Sequence, residues 1–203
     1  MAYFPMFVEL SGKRVLIVGG GKVALRKAYK LLPYGADITI AAPEICPELE
    51  ELSGVHTVKK SFSDDMPDSF DMVIAATDDR ELNARISQLC LNARIPVNAV
   101  DDAELCSFLF PCLVKKGELS IGISTGGASP TAAISFKEKI EDLVPDDIDG
   151  ILEYLGGIRA EVKERFPDEA LRSRIFRELF NRCVTAGRPL TDAETKEYFC
   201  NVR

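Results

Sequence analysis

Apolar residues in the first half of the chain alternate between short continuous runs and helical spacing. The run Val15–Val18 is typical of a buried strand in a parallel sheet. From Lys22 the apolar spacing becomes helical, Pro33 and Gly35 end the helix, and Asp37–Ala41 reads as the next strand. The predicted apolar face of the helix consists of Ala24, Ala28, Leu31 and Leu32. These elements predict one βαβ unit.

The same alternation continues to about residue 100. Strands are predicted at residues 55–60, 71–77 and 96–100, the first of them at a sheet edge, and residues 80–95 have helical spacing. The predicted inner face of that helix consists of Leu82, Ile86, Leu89 and Ala93. Parallel strands joined by helices predict an α/β fold with a Rossmann-like, doubly wound parallel sheet. Ligands bind such sheets outside the carboxyl ends of the strands.

The pattern changes after about residue 104. Residues 107–125 read as an antiparallel hairpin with its turn at Lys115–Glu118, and Ser129 and Pro130 predict the start of a helix. The rest is helical, and Thr191 with Glu194 predicts a capping box for the last helix. Two longer amphipathic helices precede it, marked by Ile151, Leu152, Leu155, Ile158 and Val162, and by Leu171, Ile175, Leu179 and Val184.

This organisation predicts three domains or regions. Residues 1–112 form the nucleotide-binding domain, residues 113–145 a dimerisation region, and residues 146–203 a small C-terminal helical domain. The hairpin and helix of the middle region have apolar faces that a three-layer sheet domain does not cover. A homodimer would bury them.

Charge and composition narrow the classes of partner. The net charge of −7 argues against a general binder of nucleic acid or of anionic membranes. No basic segment leads into an apolar run at the start, and no apolar stretch approaches the roughly 20 residues that span a bilayer. The six cysteines include no C-x-x-C pair, so we expect reduced core thiols in the cytoplasm. His56 is the single histidine, and no preformed metal site is expected.

The turn after the first strand carries the strongest motif. Gly19, Gly20, Gly21 and Ala24 match G-x-G-x-x-[GA] between a strand and a helix. The glycines permit a tight turn and a close approach of pyrophosphate to the backbone, and the helix N-terminus offers N–H donors. The alternative is a glycine-rich turn that binds no ligand. The flanking βαβ pattern favours dinucleotide binding.

The choice between NAD and NADP depends on the end of the second strand. The acidic residue that binds the ribose in this motif would fall near Ala41 or Ala42, where this chain has none. Glu44, directly after Pro43, can reach the ribose hydroxyls, and no arginine is present there for a 2′-phosphate. The sequence therefore favours NAD.

Polar residues follow three other strands. Thr77 and Asp78 come at the carboxyl end of one strand, where the cofactor would lie, although Asp78 or Asp79 can equally cap the next helix. The string Ser124-Thr125-Gly126-Gly127 ends another strand and offers hydroxyl and N–H groups to anionic substrate groups. A turn that needs glycine, followed by a cap at Ser129, is the alternative for that string.

Two adjacent aspartates follow the strand at residues 96–100. Asp101 is expected to face the same crevice as the cofactor, where a carboxylate can accept or deliver a proton beside a hydride acceptor. The alternative is a loop aspartate that caps a turn. Asp102 is expected to be structural or solvent-facing.

Taken in order, these stretches resemble the precorrin-2 dehydrogenase family, the dehydrogenase domain of siroheme synthase. The resemblance is carried by "FPMFVELSGKRVLIVGGGKVALRKAYKLL", "AATDD", "VNAVDDAELCSFLFP", "ISTGGASP" and "FKEKIE", and covers residues 1 to about 145. It implies NAD-dependent oxidation of precorrin-2 to sirohydrochlorin by a homodimer. It also implies catalysis by Asp101 and NAD contacts from the glycine turn, Lys22, Val23, Pro43 and Glu44.

Two further points follow from the resemblance. Bifunctional members also act as ferrochelatases, using the same aspartate, and this sequence fits either kind of member. Many members carry an arginine where this chain has Ile134, which puts a substrate-carboxylate contact there in doubt. A non-catalytic NAD-binding regulator and a dehydrogenase of another large anionic substrate are the competing interpretations.

Overall fold

A five-stranded parallel sheet forms the centre of residues Met6–Phe110, the first of two compact units. The computed structural model describes residues 3–202. The strand order is β3-β2-β1-β4-β5, so the chain winds outward from β1 on one side and then on the other. The strands are β1 (Arg14–Val18), β2 (Asp37–Ala41), β3 (Val55–Val58), β4 (Met72–Ala75) and β5 (Val97–Ala99). The predicted doubly wound parallel sheet, with β3 at its edge, is confirmed.

Helices cover both faces of this sheet. They are α1 (Lys22–Leu31), α2 (Pro47–Glu50) and α3 (Arg80–Ala93), with 3₁₀ turns at Leu32–Tyr34, Met66–Ser69 and Ala103–Leu105. Val15 and Ile17 of β1 pack in one apolar cluster with α1, whereas Leu16 and Val18 pack in a second cluster with α3. Because successive side chains of a strand point to opposite faces, a strand buried on both sides must be apolar throughout.

The buried face of α3 differs from the prediction. Its buried residues are Asn83, Ile86, Ser87 and Cys90, and Ala93 is exposed. Two of these residues, Asn83 and Ser87, are polar, and both can be buried because each has a hydrogen-bond partner. The Asn83 side chain bonds Thr77, and Ser87 Oγ donates to the Leu105 carbonyl oxygen at 2.6 Å. An apolar pattern alone cannot reveal a face that is satisfied by hydrogen bonds.

The second unit comprises residues 3–5 and 111–202. It begins with the antiparallel pair β6 (Cys112–Lys116) and β7 (Leu119–Ile123), followed by α4 (Pro130–Leu143). The predicted hairpin is confirmed, with a tighter turn, Gly117–Glu118, since β6 continues to Lys116. The predicted cap is also present, because Ser129 Oγ accepts from the Ala132 N–H at 3.1 Å.

Four helices complete this unit: α5 (Ile148–Gly157), α6 (Arg159–Arg165), α7 (Glu169–Ala186) and α8 (Asp192–Asn201). The predicted single helix through Ile151 and Val162 is wrong, since it divides into α5 and α6 at Ile158. On α7 the buried stripe ends at Cys183, while Val184 is exposed. The capping box of Thr191 and Glu194 is confirmed. Among the described helices, none is long and apolar enough to cross a bilayer.

Candidate active site

A cleft of about 900 Å³ opens at the carboxyl ends of β1, β2, β4 and β5. It lies at the point where the strand order reverses, between β1 and β4, which is where doubly wound sheets bind ligands. All of the predicted cofactor-binding positions except Ala24, and also Asp101, line it. These lining residues are Gly19, Gly20, Gly21, Lys22, Val23, Pro43, Glu44, Thr77, Asp78 and Asp101.

The first two glycines are required by the backbone that surrounds them. Gly19 has φ +127°, and a Cβ there would lie 2.3 Å from the Ala76 carbonyl oxygen. A Cβ on Gly20 would lie 1.9 Å from the Glu44 carbonyl oxygen. Both contacts are far inside van der Waals distance and involve backbone, which cannot move aside cheaply. These glycines therefore let the turn pack between the ends of β2 and β4.

Gly21 has a different role. A Cβ at this position would meet nothing within 4 Å, so the space beside the backbone is open to the cleft. Gly21 is the N-cap of α1 with no side-chain cap, and the first turn of α1 has no acidic residue. The helix N-terminus thus offers N–H groups and a partial positive charge, with the exposed Lys22 beside them. These features fit a pyrophosphate.

Ala24 lies beneath the cleft, fully buried between α1 and the sheet. A small residue here brings the helix close to β1, as the third position of the motif requires. Two backbone hydrogen bonds hold the end of β2 and the loop after it against the turn: Gly19 N–H donates to Ala41 O at 2.9 Å, and Cys46 N–H donates to Gly20 O at 2.8 Å. Pro43 and Glu44 are exposed on this loop.

Thr77 is fixed by a buried amide at the end of β4. Its hydroxyl donates to Asn83 Oδ1 at 2.8 Å, and Asn83 Nδ2 donates to the Thr77 carbonyl oxygen at 3.0 Å. Asp79 is the cap of α3, since its Oδ1 accepts from the Glu81 and Leu82 N–H groups at 2.9 and 3.0 Å. The two roles that the sequence left open are thus divided: Asp79 caps, and Asp78 stays exposed at the cleft.

The two aspartates after β5 also differ in their surroundings. Asp101 is exposed at the cleft with φ 60°, in the left-handed region that side chains other than glycine seldom adopt. Asp102 caps the 3₁₀ turn by accepting from the Glu104 N–H at 3.2 Å, and it bonds Arg80 Nη2 at 3.1 Å. Asp102 therefore has structural contacts, and Asp101 is exposed at the cleft.

Sequence reasoning missed a polar cluster behind Asp101. Lys27 on α1 donates to Asn98 Oδ1 on β5 at 2.9 Å and lies 4.0 Å from the centre of the Phe110 ring. Burial, and then the nearby Lys30, lower the pKa of Lys27 to about 8. Asn98 in turn contacts Cys106. The available signal was Asn98 itself, a polar residue in the middle of an apolar strand, which must have buried partners.

The predicted substrate residues, Ser124, Thr125, Gly126 and Gly127, belong to the second unit. Thr125 Oγ1 donates to the Ser129 carbonyl oxygen at 3.0 Å and accepts from the Ser129 N–H at 3.2 Å. Gly126 and Gly127 have φ 62° and 86°, so the loop needs both glycines. Gly126, Gly127 and Ser124 are exposed. The loop is thus a hydrogen-bonded turn whose outer backbone is accessible.

The fold and the glycine turn define a class of dinucleotide-binding protein, and comparison with known families agrees. A family model described as "Putative NAD(P)-binding" matches residues 6–112. The chain belongs to this family. The match supports the predicted cofactor, a nicotinamide dinucleotide, and it covers the sheet, the cleft and Asp101 together.

Curated relatives and a solved structure show which members of this family the chain is similar to. The chain is 38% identical to siroheme synthase of Thioalkalivibrio sulfidiphilus over 97% of its length and 40% identical to siroheme synthase of Ectopseudomonas mendocina over 93%. It spans 42% of the length of each. The structure of SirC, a precorrin-2 dehydrogenase, has a TM-score of 0.73 over 98% of both chains at 21% identity and shows the same fold. The resemblance predicted from the sequence is confirmed.

Proposed function

We propose that this protein oxidises precorrin-2 to sirohydrochlorin with NAD, a step in sirohaem synthesis. One observation carries the proposal: the same cleft contains an uncapped helix N-terminus beside Gly21 and the carboxylate of Asp101 on a left-handed backbone. The first can bind a pyrophosphate, and the second can exchange a proton. The names of the relatives, siroheme synthase and precorrin-2 dehydrogenase, support this choice of reaction.

The position of these residues along the cleft supports the following proposed roles. Gly19, Gly20 and Gly21, with Lys22 and Val23, hold the pyrophosphate, while Pro43 and Glu44 lie on the ribose side. Thr77, fixed by Asn83, and Asp78 border the nicotinamide end. Bound NAD supplies the acceptor for the hydride that leaves a substrate carbon. Asp101 takes the proton that the macrocycle loses, so that two electrons and two protons leave the substrate in total.

NAD is proposed over NADP because of the residues on the ribose side. Glu44 is exposed there, and Lys22 is the one basic residue among the lining residues that the structure describes. A carboxylate accepts hydrogen bonds from ribose hydroxyls and repels a 2′-phosphate. Calorimetric titration should show tighter binding of NAD than of NADP. Equal affinity would refute the preference.

We propose that Ser124, Thr125, Gly126 and Gly127 bind carboxylates of the substrate. The support is chemical: a glycine turn with accessible backbone, next to the N-terminus of α4, is suited to anions. Of the two neighbouring lysines, Lys116 donates to the Val144 carbonyl oxygen at 3.2 Å and lies 3.5 Å from Asp146. It therefore has a structural use already.

We also propose a cytoplasmic homodimer with the domain division 1–112, 113–145 and 146–203. The support for the dimer is that β6 and β7 form a two-stranded sheet, which is marginal by itself, and that α4 exposes Ile134 and Phe136. The cysteines of the described chain are free thiols, as in a reducing compartment.

The direct test mixes the protein with NAD and precorrin-2 and follows the absorbance of reduced nicotinamide and of sirohydrochlorin. Formation of both at equal rates supports the proposal. Binding of NAD without turnover would favour a regulatory NAD-binding protein, and turnover of another anionic substrate alone would favour a different dehydrogenase. A second assay with sirohydrochlorin and ferrous ion decides whether the chain is also a ferrochelatase.

A further inference from the structure

A half-buried lysine on α1 has no role in the reaction as proposed so far. Lys27 Nζ donates to Asn98 Oδ1 at 2.9 Å and faces the Phe110 ring at 4.0 Å. Asn98 is the central residue of β5 and is only 5% exposed. Removing an ammonium from water costs free energy, which one amide oxygen and one aromatic ring repay only in part. This uncompensated cost suggests that the Lys27 ammonium has a function.

The contact of Lys27 continues through Asn98 to Cys106. Asn98 Nδ2 donates to Cys106 Sγ at 3.3 Å and to the Phe108 carbonyl oxygen at 3.0 Å. Two partners fix which way the Asn98 amide points: the Lys27 ammonium, which can only donate, faces Oδ1, and the Phe108 carbonyl oxygen, which can only accept, faces Nδ2. Lys27 is therefore one of the two groups that hold Asn98 Nδ2 toward Cys106.

Cys106 Sγ then contacts backbone on both sides of Asp101. It accepts from the Ala99 N–H at 3.2 Å and lies 3.1 Å and 3.2 Å from the carbonyl oxygens of Ala99 and Asp102. A thiol has one hydrogen, so it donates to one of the two carbonyls at a time. These contacts bracket the residue whose φ is 60°. A strained backbone persists where its surroundings hold it.

We propose that Lys27 is a positioning residue for Asp101, acting through Asn98 and Cys106 on the left-handed turn that presents the Asp101 carboxylate at the cleft. This inference rests on the proposed function. It adds a residue that touches neither substrate nor cofactor, and it makes the turn sensitive to the charge of Lys27.

The charge of Lys27 is set by known neighbours. Burial lowers its pKa first, Lys30 and Arg26 of α1 lower it further, and Asp101, together with Cys106 when it is ionised, raises it, with the result at about 8. Below that pH the ammonium makes a charge-assisted hydrogen bond to Asn98 and a cation–π contact to Phe110. Above it the neutral amine makes a weaker bond and loses the cation–π attraction. The turn should loosen as pH rises through about 8.

A first experiment does not need turnover. Nuclear magnetic resonance of the whole protein follows the Lys27 side chain and the backbone amides of Val100, Asp101 and Asp102 between about pH 7 and 10, around the pKa of the lysine. In the wild type the amides should shift together with Lys27. In Lys27→Met the shift should vanish, and in Lys30→Met, which removes an exposed charge from the same helix, it should remain but move to higher pH, because Lys30 lowers the pKa of Lys27. If the amide shifts of Val100, Asp101 and Asp102 did not change as Lys27 titrates, the proposal would be overturned.

A second experiment measures the pH profile of turnover. In the wild type kcat should fall as Lys27 loses its proton, and Lys27→Arg, which stays charged, should retain activity at higher pH. Lys27→Met should lower kcat up to about 10²-fold at neutral pH, as misplacement of a reacting group does, with the KM for NAD unchanged. Wild-type kcat in Lys27→Met would also overturn the proposal. If the wild type itself fails to oxidise precorrin-2, the proposed function is wrong, and the resonance experiment alone decides the role of Lys27.

Discussion

Among the described residues other than glycine, only Arg94 and Asp101 have a positive φ, each of 60°. Arg94 ends α3 as a left-handed C-cap, a position that favours glycine. We expect Arg94→Gly and Asp101→Gly each to raise the free energy of unfolding, by less than about 1 kcal/mol because glycine also loosens the unfolded chain. Thermal unfolding measures this. Only Asp101→Gly should lose turnover, and a lower free energy of unfolding in both variants would contradict the strain argument.

The carboxylate of Asp101 is tested by a change that preserves its shape. Asp101→Asn cannot take a proton, so we expect kcat to fall by about 10²–10⁴-fold, the usual contribution of a general base. NAD affinity should stay near that of the wild type. Asp102→Asn is the matched control, since its contacts to Glu104 and Arg80 are structural. Wild-type turnover by Asp101→Asn would leave Asp101 as a turn residue only.

Within the glycine turn, we expect Gly20 to affect the stability of the fold and Gly21 to affect the binding of NAD. Gly20→Ala should lower the melting temperature, because its Cβ would lie 1.9 Å from the Glu44 carbonyl oxygen. Gly21→Asp should leave the melting temperature near that of the wild type, since Gly21 faces open space with φ −100°, yet abolish NAD binding by placing a carboxylate in the pyrophosphate site. Calorimetry of NAD binding, with Gly21→Ala as the uncharged comparison, measures the second effect. Undiminished NAD binding by Gly21→Asp would rule out this position for the phosphates.

At the scale of elements, Lys27 joins α1 to β5 and gives stability its own pH dependence. The folded pKa of about 8 lies below the ordinary 10.5. Below pH 8 both states hold the proton and the burial cost is complete. Between pH 8 and 10.5 the unfolded chain binds more protons than the folded chain, so the free energy of unfolding rises with pH. Above 10.5 Lys27 is neutral in both states, and burying it no longer carries the cost of burying a charge.

We therefore expect the melting temperature of the wild type to increase relative to that of Lys27→Met as pH rises from about 8 to 10.5. Thermal unfolding of both proteins across this range measures the gain. The change in stability expected from Lys27 is opposite in sign to the loss of turnover, so the effect of Lys27 on stability cannot imitate its effect on positioning. Parallel curves for the two proteins would show that Lys27 keeps its ordinary pKa.

Elements with local signals are the ones that the sequence predicted well. The glycine turn, the Ser129 cap and the Thr191 capping box each depend on residues within a few positions of one another. The inner face of α3 includes Ser87, whose partner Leu105 lies 18 residues away, and the apolar spacing does not mark the division at Ile158. Thr77 finds Asn83 six residues away, but Lys27 finds Asn98 across 71 residues, and no pattern along the chain encodes that pairing.

At the scale of the whole molecule, the proposed dimer has a specific test. Phe136 on α4 is 55% exposed, and Tyr29 on α1 is 56% exposed. We expect Phe136→Asp to weaken the dimer, because a charge would enter an apolar interface, and Tyr29→Asp to leave it intact. Sedimentation at micromolar concentration distinguishes the two species. A wild type that is monomeric there would refute the proposed homodimer.

The order of strands in the sheet also has a consequence for how the chain folds. The central strand, β1, is made first, and it pairs with β2 across a separation of 23 residues but with β4 across 57. Closing the shorter loop costs less entropy and is faster. During synthesis the β1–α1–β2 unit, a parallel crossover that contains the glycine turn, can therefore assemble before β4 has been made. Until then one edge of β1 has no partner strand, and such an unpaired edge is open to mispairing.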